Sequence, residues 1–243
     1  MSRWWPDHLV LRLGDAPRVQ GATTSRWDTT LDAFGRELDA RAAKRGTRIT
    51  CVVSGDGVRY RIVPWSDELT SPAQRRALAQ HCFKDAYGDV AGNWSISQTE
   101  SVYGGASLAC ALDAILLDRL EAVTRSRGLR LVGLQPSMMN AFNGAHVSVG
   151  SGSVWLVCAE PAWTTLLLVS GGEPLHVRQL PSAGFELALA LNREWFALGL
   201  EGTCPPARIA TLGAGPTSAA GDSAEPVWTY ADIDASAMAR LAA

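Results

Sequence analysis

The sequence predicts an α/β chain in two lobes, with mixed sheets flanked by helices. Three observations predict it. Residues 104–143 read as an apolar strand, an amphipathic helix, a second strand and a Pro-started helix. The residues before them alternate strand signals with two helical patterns, as in a small α/β lobe. After a polar break at Gly150-Ser151-Gly152-Ser153 come three consecutive strands, a helix and a further strand, a weak echo of the first half. At 243 residues and 47% hydrophobic content the chain can fill one large domain or two small lobes.

Taken in order, Leu9 to Leu13 reads as the first strand, with Arg18 to Ala22 as its hairpin partner. Trp27 to Arg45 reads as a helix burying Leu31, Phe34, Leu38 and Ala42, ended by Gly46. Arg48 to Val53 and Val58 to Val63 read as a hairpin around Ser54-Gly55-Asp56-Gly57. Ser71-Pro72 opens a helix with Pro at its first position, carrying Leu78 and Phe83 inward and ending near Tyr87-Gly88. Trp94 to Val102 is a further strand.

In the central stretch Asp113 is placed to cap a helix, since its carboxylate can accept from free backbone N–H groups. Ile115, Leu116, Leu120 and Val123 fall on one face. Arg125 and Arg127 suit the C-terminal end of the dipole, and Gly128 supplies a left-handed residue. Leu129 to Leu134 is an apolar strand stopped by Pro136.

In the second half, Val154 to Ala159, Thr164 to Ser170 and Leu175 to Leu180 read as antiparallel strands, the last two joined at Gly171-Gly172-Glu173-Pro174. Ala183 to Leu200 reads as a helix with Phe185, Leu189, Trp195 and Phe196 on its apolar face. Ala207 to Leu212 is a strand, Gly213 to Glu225 a flexible loop, Val227 to Tyr230 a strand and Ile233 to Leu241 a helix.

Composition narrows the function classes. A net charge of −2 gives no general reason to expect nucleic-acid binding. The five cysteines form no C-x-x-C pair and read as buried free thiols of a cytosolic protein, and the four histidines show no zinc spacing. Residues 1–7 lack the apolar core of a signal peptide, and no run approaches the roughly 18 apolar residues of a membrane span. A soluble, cytoplasmic protein is expected. The nine Trp are scattered, which favours packing over a single ligand box.

Arg127-Gly128-Leu129-Arg130-Leu131-Val132-Gly133-Leu134-Gln135-Pro136, followed by Ala141 to Asn143, resembles the hinge of the actin-like ATPase superfamily, of ribonuclease H-like fold. Within it the chain is most similar to the bacterial assembly branch, the PilM proteins of type IV pili and the GspL cytoplasmic domains of type II secretion. Gly171-Gly172-Glu173-Pro174-Leu175-His176-Val177-Arg178 resembles the matching hairpin of PilM. The resemblance implies a first lobe at 1–104, an inter-lobe strand–helix–strand at 105–145 and a second lobe at 146–243.

It also locates the nucleotide loops of such a fold. In the second lobe the run is Cys158-Ala159-Glu160-Pro161-Ala162-Trp163-Thr164. Cys158 stands where the family has Asp, Glu160 where it has Gly, and only Thr164 is kept. A carboxylate at 160 repels phosphate and Pro161 lacks a donor. In the first lobe Gly14 is kept but Arg12 replaces the Asp. Gly213 and Gly215 fit the adenosine side, with an ordinary strand-to-loop turn as the competing reading. The candidate cofactor residues are therefore Gly14, Thr164, Gly213 and Gly215. No catalytic or metal-binding residue is expected, and ATP is the only cofactor left open. Losing both Asp positions costs transition-state stabilisation far more than binding.

The resemblance thus implies a non-catalytic cytoplasmic scaffold of a pilus or type II-like secretion platform, held peripherally at the inner membrane through partners. The expected partners are the cytoplasmic tail of a bitopic inner-membrane assembly protein and the assembly ATPase, with no nucleic acid and no membrane span. The tail would dock in a groove of the first lobe, for which the region of Trp65 and Trp94 is a candidate, although strand-packed core Trp is the preferred reading of both residues. An actin-fold ATP-binding protein or kinase-like phosphotransferase is the alternative function, and it needs intact phosphate loops.

Overall fold

The computed structural model describes residues 8–13, 27–101, 103–145, 152–183, 186–199, 207–211 and 230–232. They form an α/β fold of three sheets with helices packed on them. The first sheet is parallel, in the order β1 (His8–Leu13), β2 (Arg48–Val53), β6 (Arg130–Pro136). Parallel neighbours require crossovers, and these are helical: α1 (Asp28–Ala40) lies between β1 and β2, and α3 (Ala114–Ser126) precedes β6. Both helices pack on one face of this sheet. Leu31, Phe34 and Leu38 of α1 share a core with Leu116 and Leu120 of α3 and with Leu11, Ile49 and Cys51 of the strands.

Between β2 and α3 the chain builds a second, antiparallel sheet in the order β3 (Val58–Val63), β5 (Ser107–Asp113), β4 (Trp94–Gln98). Helix α2 (Pro72–Tyr87) covers one face. β5 shows why both faces are buried: Leu108, Cys110 and Leu112 enter the large core, while Ala109 and Ala111 join Phe83 and Ala79 under α2.

The third sheet follows α4 (Ser137–Ala145). Its order is β11 (Tyr230–Asp232), β10 (Ala207–Thr211), β7 (Ser153–Ala159), β8 (Trp163–Ser170), β9 (Glu173–Pro181). β7 alternates in the same way. Val154, Leu156 and Cys158 enter the large core, whereas Trp155 and Val157 pack with Leu191 of α5 (Leu187–Ala197).

Local chemistry accounts for the element ends. Ser71 Oγ accepts from Gln74 N while Ser71 N donates to Gln74 Oε1, a reciprocal capping box at the start of α2. Asp113 Oδ1 accepts from Ile115 N at 3.0 Å, the expected cap of α3, and Gly128 ends that helix at φ +70°.

The fold departs from the sequence pattern at several points. β2 and β3 do not form a hairpin: β1 and β6 occupy both edges of β2, so the turn at 54–57 hands the chain to another sheet. Helix α1 stops at Ala40, and the left-handed residues Ala42 and Gly46 turn it toward β2. Ile115 is exposed rather than part of the buried face of α3, and β4 stops at Gln98. Helix α5 is shorter than 183–200. It leaves Leu189 and Phe196 exposed and turns Leu191, Asn192 and Glu194 inward, because Glu194 Oε2 meets His176 Nε2 of β9 at 2.8 Å. The strand Arg18–Ala22, Phe185, the loop 213–225 and the helix 233–241 lie outside the described residues.

Candidate functional site

The expected second phosphate loop is the turn between β7 and β8. Glu160 N donates to Trp163 O at 2.9 Å, which closes the turn. The Glu160 side chain points inward and is 2% exposed. Its Oε2 accepts from Gly55 N at 2.7 Å, across 105 residues of sequence. A backbone donor held by a buried carboxylate forms a charge-assisted bond, among the stronger neutralising contacts a protein makes.

Four further contacts hold the 54–57 turn and the start of β3 against β8 and β9. Gln179 Nε2 of β9 donates to the carbonyls of Gly55 and Val58, each at 3.2 Å. Trp163 Nε1 donates to Asp56 Oδ1 at 3.2 Å. The Arg59 guanidinium lies 5.7 Å from the centre of the Trp163 ring, within cation–π range. Gly55 is needed here, since a Cβ on it would stand 2.9 Å from Glu160 Oε2 and 3.1 Å from Trp163 Cβ. The 54–57 turn is thus clasped by the β7–β8 turn, β8 and β9.

Thr164 is completely buried, and its hydroxyl is already used. Ser182 Oγ donates its one proton to Glu160 O at 2.8 Å, so the 3.0 Å contact between Thr164 Oγ1 and Ser182 Oγ has Thr164 as donor. Cys158 is also fully buried. Burial, and after it the Glu160 charge, pushes its thiol far above the usual range, outweighing a Ser137 hydrogen bond and the Arg12 charge. A neutral, enclosed thiol is no nucleophile. The Tyr60 hydroxyl, beside Cys158 and Glu160, is likewise raised by burial and accepts from Met138 N at 3.2 Å.

The expected site residues therefore divide. Cys158, Glu160 and Thr164 are brought together in one turn, with the Arg12 charge acting on Cys158. Gly14, Gly213 and Gly215 lie outside the described residues. Gly55 stands in the Gly-rich turn and Trp163 in the 158–164 run, but nothing in the sequence pairs them, and no sequence pattern singles out Gln179. The Gly-rich turn at 54–57 was visible, but its partner was not. Among the described residues no group of His, Cys, Asp or Glu could hold a metal ion, and no helix is long and apolar enough to cross a membrane.

A second site lies on the unit formed by β3, α2, β4 and β5. A cavity of about 720 Å³ opens beside edge strand β4, lined among others by Trp65, Tyr103, Arg75, Arg76, Ile96 and Gln98. The Trp65 and Tyr103 rings meet edge to face at 4.9 Å. Asp67 Oδ1 accepts from both, from Trp65 Nε1 at 2.9 Å and from Tyr103 Oη at 3.1 Å. These bonds, Trp65's first, hold the Asp67 carboxyl below its ordinary pKa. Tyr103 is 85% exposed, so an aromatic face is fixed at the surface. Trp94 takes the other course: it packs on Tyr87 at 5.2 Å and Phe83 at 6.3 Å and does not line the cavity.

No protein-family model matches the chain, and no curated protein matches it by sequence. Solved structures do match. The PilM–PilN type IV pilus biogenesis complex aligns with a TM-score of 0.57 and 17% identity over 82% of this chain and 73% of that one. The cytoplasmic domain of EpsL, an inner membrane component of the type II secretion system of Vibrio cholerae, aligns with a TM-score of 0.57 and 9% identity over 87% and 79%. A Bacteroides thetaiotaomicron protein of actin-like ATPase fold and unknown function aligns at 0.50 and 12% identity over 76% and 66%. The fold of this chain is the actin-like one, as the sequence resemblance implied.

Proposed function

We propose that the chain is a non-catalytic cytoplasmic scaffold of a type IV pilus or type II-like secretion platform, peripheral to the inner membrane and holding the cytoplasmic tail of a bitopic membrane protein. The observation that carries this reading is the Glu160–Gly55 contact. At the turn where an actin-like ATPase receives phosphate, this chain places its own buried carboxylate, and the backbone donor opposite is already satisfied. A phosphate brought to that turn would meet like charge in a poorly solvated place. The likeness to PilM in complex with PilN and to the EpsL cytoplasmic domain supports the same reading.

The division into lobes at 1–104 and 146–243, joined by 105–145, belongs to the proposal, with the joining segment supplying β5 and β6 to the sheets of the first half. The groove beside Trp65 and Tyr103 is where the partner's tail would dock. It offers an aromatic anchor and the open edge of β4, the two elements that extended-chain recognition uses. The assembly ATPase is a further partner.

Affinity purification of the chain from a cell carrying such a system tests this. A bitopic inner-membrane assembly protein should co-purify with wild type and be lost from a Trp65→Ala/Tyr103→Ala variant that keeps its melting temperature. Recovery of no membrane protein, together with magnesium-dependent ATP turnover by the purified chain, would overturn the reading.

A further inference from the structure

The end of the molecule opposite the clasp carries charge that the proposed scaffold role does not use. At the N-terminal ends of β2 and β6, the segments 37–48 and 121–130 run together. Gly46 N donates to Gly128 O at 2.8 Å and Arg130 N donates to Thr47 O at 3.0 Å. Arg48 and Arg130 are register partners across β2 and β6. The Arg45 stem lies over Gly128, so close that a Cβ there would meet Arg45 Cγ at 2.9 Å. Two stretches some 80 residues apart in sequence thereby pool their cations on one rigid base.

The pooled set is Arg41, Lys44, Arg45, Arg48, Arg125, Arg127 and Arg130, against the carboxylates Glu37, Asp39 and Glu121. Each carboxylate already has a cation: Arg41 meets Glu37 at 3.3 Å, Arg127 meets Asp39 at 2.7 Å and Arg125 meets Glu121 at 3.4 Å. Lys44, Arg45, Arg48 and Arg130 are exposed and pair with no carboxylate among the described residues. A chain of net charge −2 thus concentrates four uncompensated cations at one end. Arg45, Arg125 and Arg130 also line a shallow cavity of about 640 Å³.

We propose that this end is a docking surface for an anionic lipid bilayer. The surface fits a bilayer better than a folded or extended acidic protein. Its recognition elements are cationic side chains spread over two loops, and among the described residues Val132 is the one large apolar residue of the cavity that is substantially exposed. An interface that selects one polypeptide buries an apolar or aromatic centre. A bilayer rich in anionic headgroups asks only for cations within a Debye length of its surface, and each contributes on the order of 1 kcal/mol. The inference goes beyond the scaffold reading and does not depend on it: the charged end lies across β2 from the clasp, and neither the clasp nor the aromatic groove contributes to it.

Co-sedimentation with vesicles tests it, using phosphatidylglycerol–phosphatidylethanolamine mixtures against pure phosphatidylcholine. Wild type should partition onto the anionic vesicles at low salt and be released as salt rises. An Arg45→Gln/Arg130→Gln variant should lose roughly 30-fold in partition coefficient, two cations' worth. Lys84→Gln/Arg193→Gln removes the same formal charge from exposed positions outside this end and should bind as wild type does. Matching melting temperatures for the two variants would show that folding is not the cause. The proposal fails if wild type ignores anionic vesicles, if both double variants lose binding equally, or if the chain binds poly-glutamate while leaving the vesicles untouched.

Discussion

Strand β3 separates two loops of opposite character. The turn before it, at 54–57, has its Gly55 N–H, its Gly55 carbonyl and the Asp56 carboxylate engaged by Glu160, Gln179 and Trp163. The loop after it, from Pro64 to Asp67, bonds Trp65 to its own Asp67 and uses the same carboxylate to hold a Tyr103 ring out in solvent. Polar groups consumed inside the chain make a joint, and groups left at the surface make an interface. In the proposed reading, the place where an actin-like fold can receive phosphate is closed here by the chain's own Glu160 carboxylate, and an aromatic groove is offered some ten residues further along.

The comparison predicts unequal responses to mutation. Glu160→Ala would leave Gly55 N without its acceptor in a buried place and should destabilise by about 2–4 kcal/mol, read by chemical denaturation. Glu160→Gln keeps an acceptor and should lose distinctly less. If Ala and Gln cost the same small amount, the clasp is not a joint. Gly55→Ala should cost about 1–3 kcal/mol, since its methyl group meets Glu160 Oε2 and Trp163 Cβ inside contact distance. On the groove side, Tyr103→Ala should change stability by no more than about 0.5 kcal/mol, as for most exposed positions. A large loss there would mean that the groove is structural and would erase the contrast.

The core supplies a pH response that both regions share. Burial raises the thiols of Cys51 to about 12 and Cys110 to about 11 from a reference of 9.0, and raises Cys158 further. The native state therefore holds protons that the unfolded chain releases above pH 9. Stability should be unaffected by these thiols below that pH and should fall as pH rises above it, by up to about 1.4 kcal/mol per thiol per pH unit. Denaturation midpoints measured from pH 8 to 11 check the sign, and thiol labelling that stays slow at pH 8 checks the burial.

What the sequence made legible was local. Ser71-Pro72, Asp113 and Gly128 mark helix ends through bonds made within a few residues, and they stand where expected. The apolar alternation of β7 and β8 and the Gly171-Gly172 turn also follow from neighbouring residues. The hairpin read at 48–63 failed because strand pairing is a long-range choice: β2 finds β6 about 80 residues away. The buried face of α5 was misread because Glu194 turns inward to His176, a polar preference that an apolar pattern does not register. At the site, Glu160 was noticed for what it would repel. That it would bond Gly55, with Gln179 bonding the same turn across 124 residues, needed the folded chain.

In the proposed scaffold the turn that would receive phosphate is occupied by the protein itself. Thermal unfolding of the purified chain with and without ATP and magnesium tests it most directly, because a ligand that binds only the folded state must raise the melting temperature. The account predicts no shift for the wild type across ATP concentrations up to the millimolar range. A saturable upward shift, lost in Thr164→Ala, would show that the turn still receives phosphate and would contradict it.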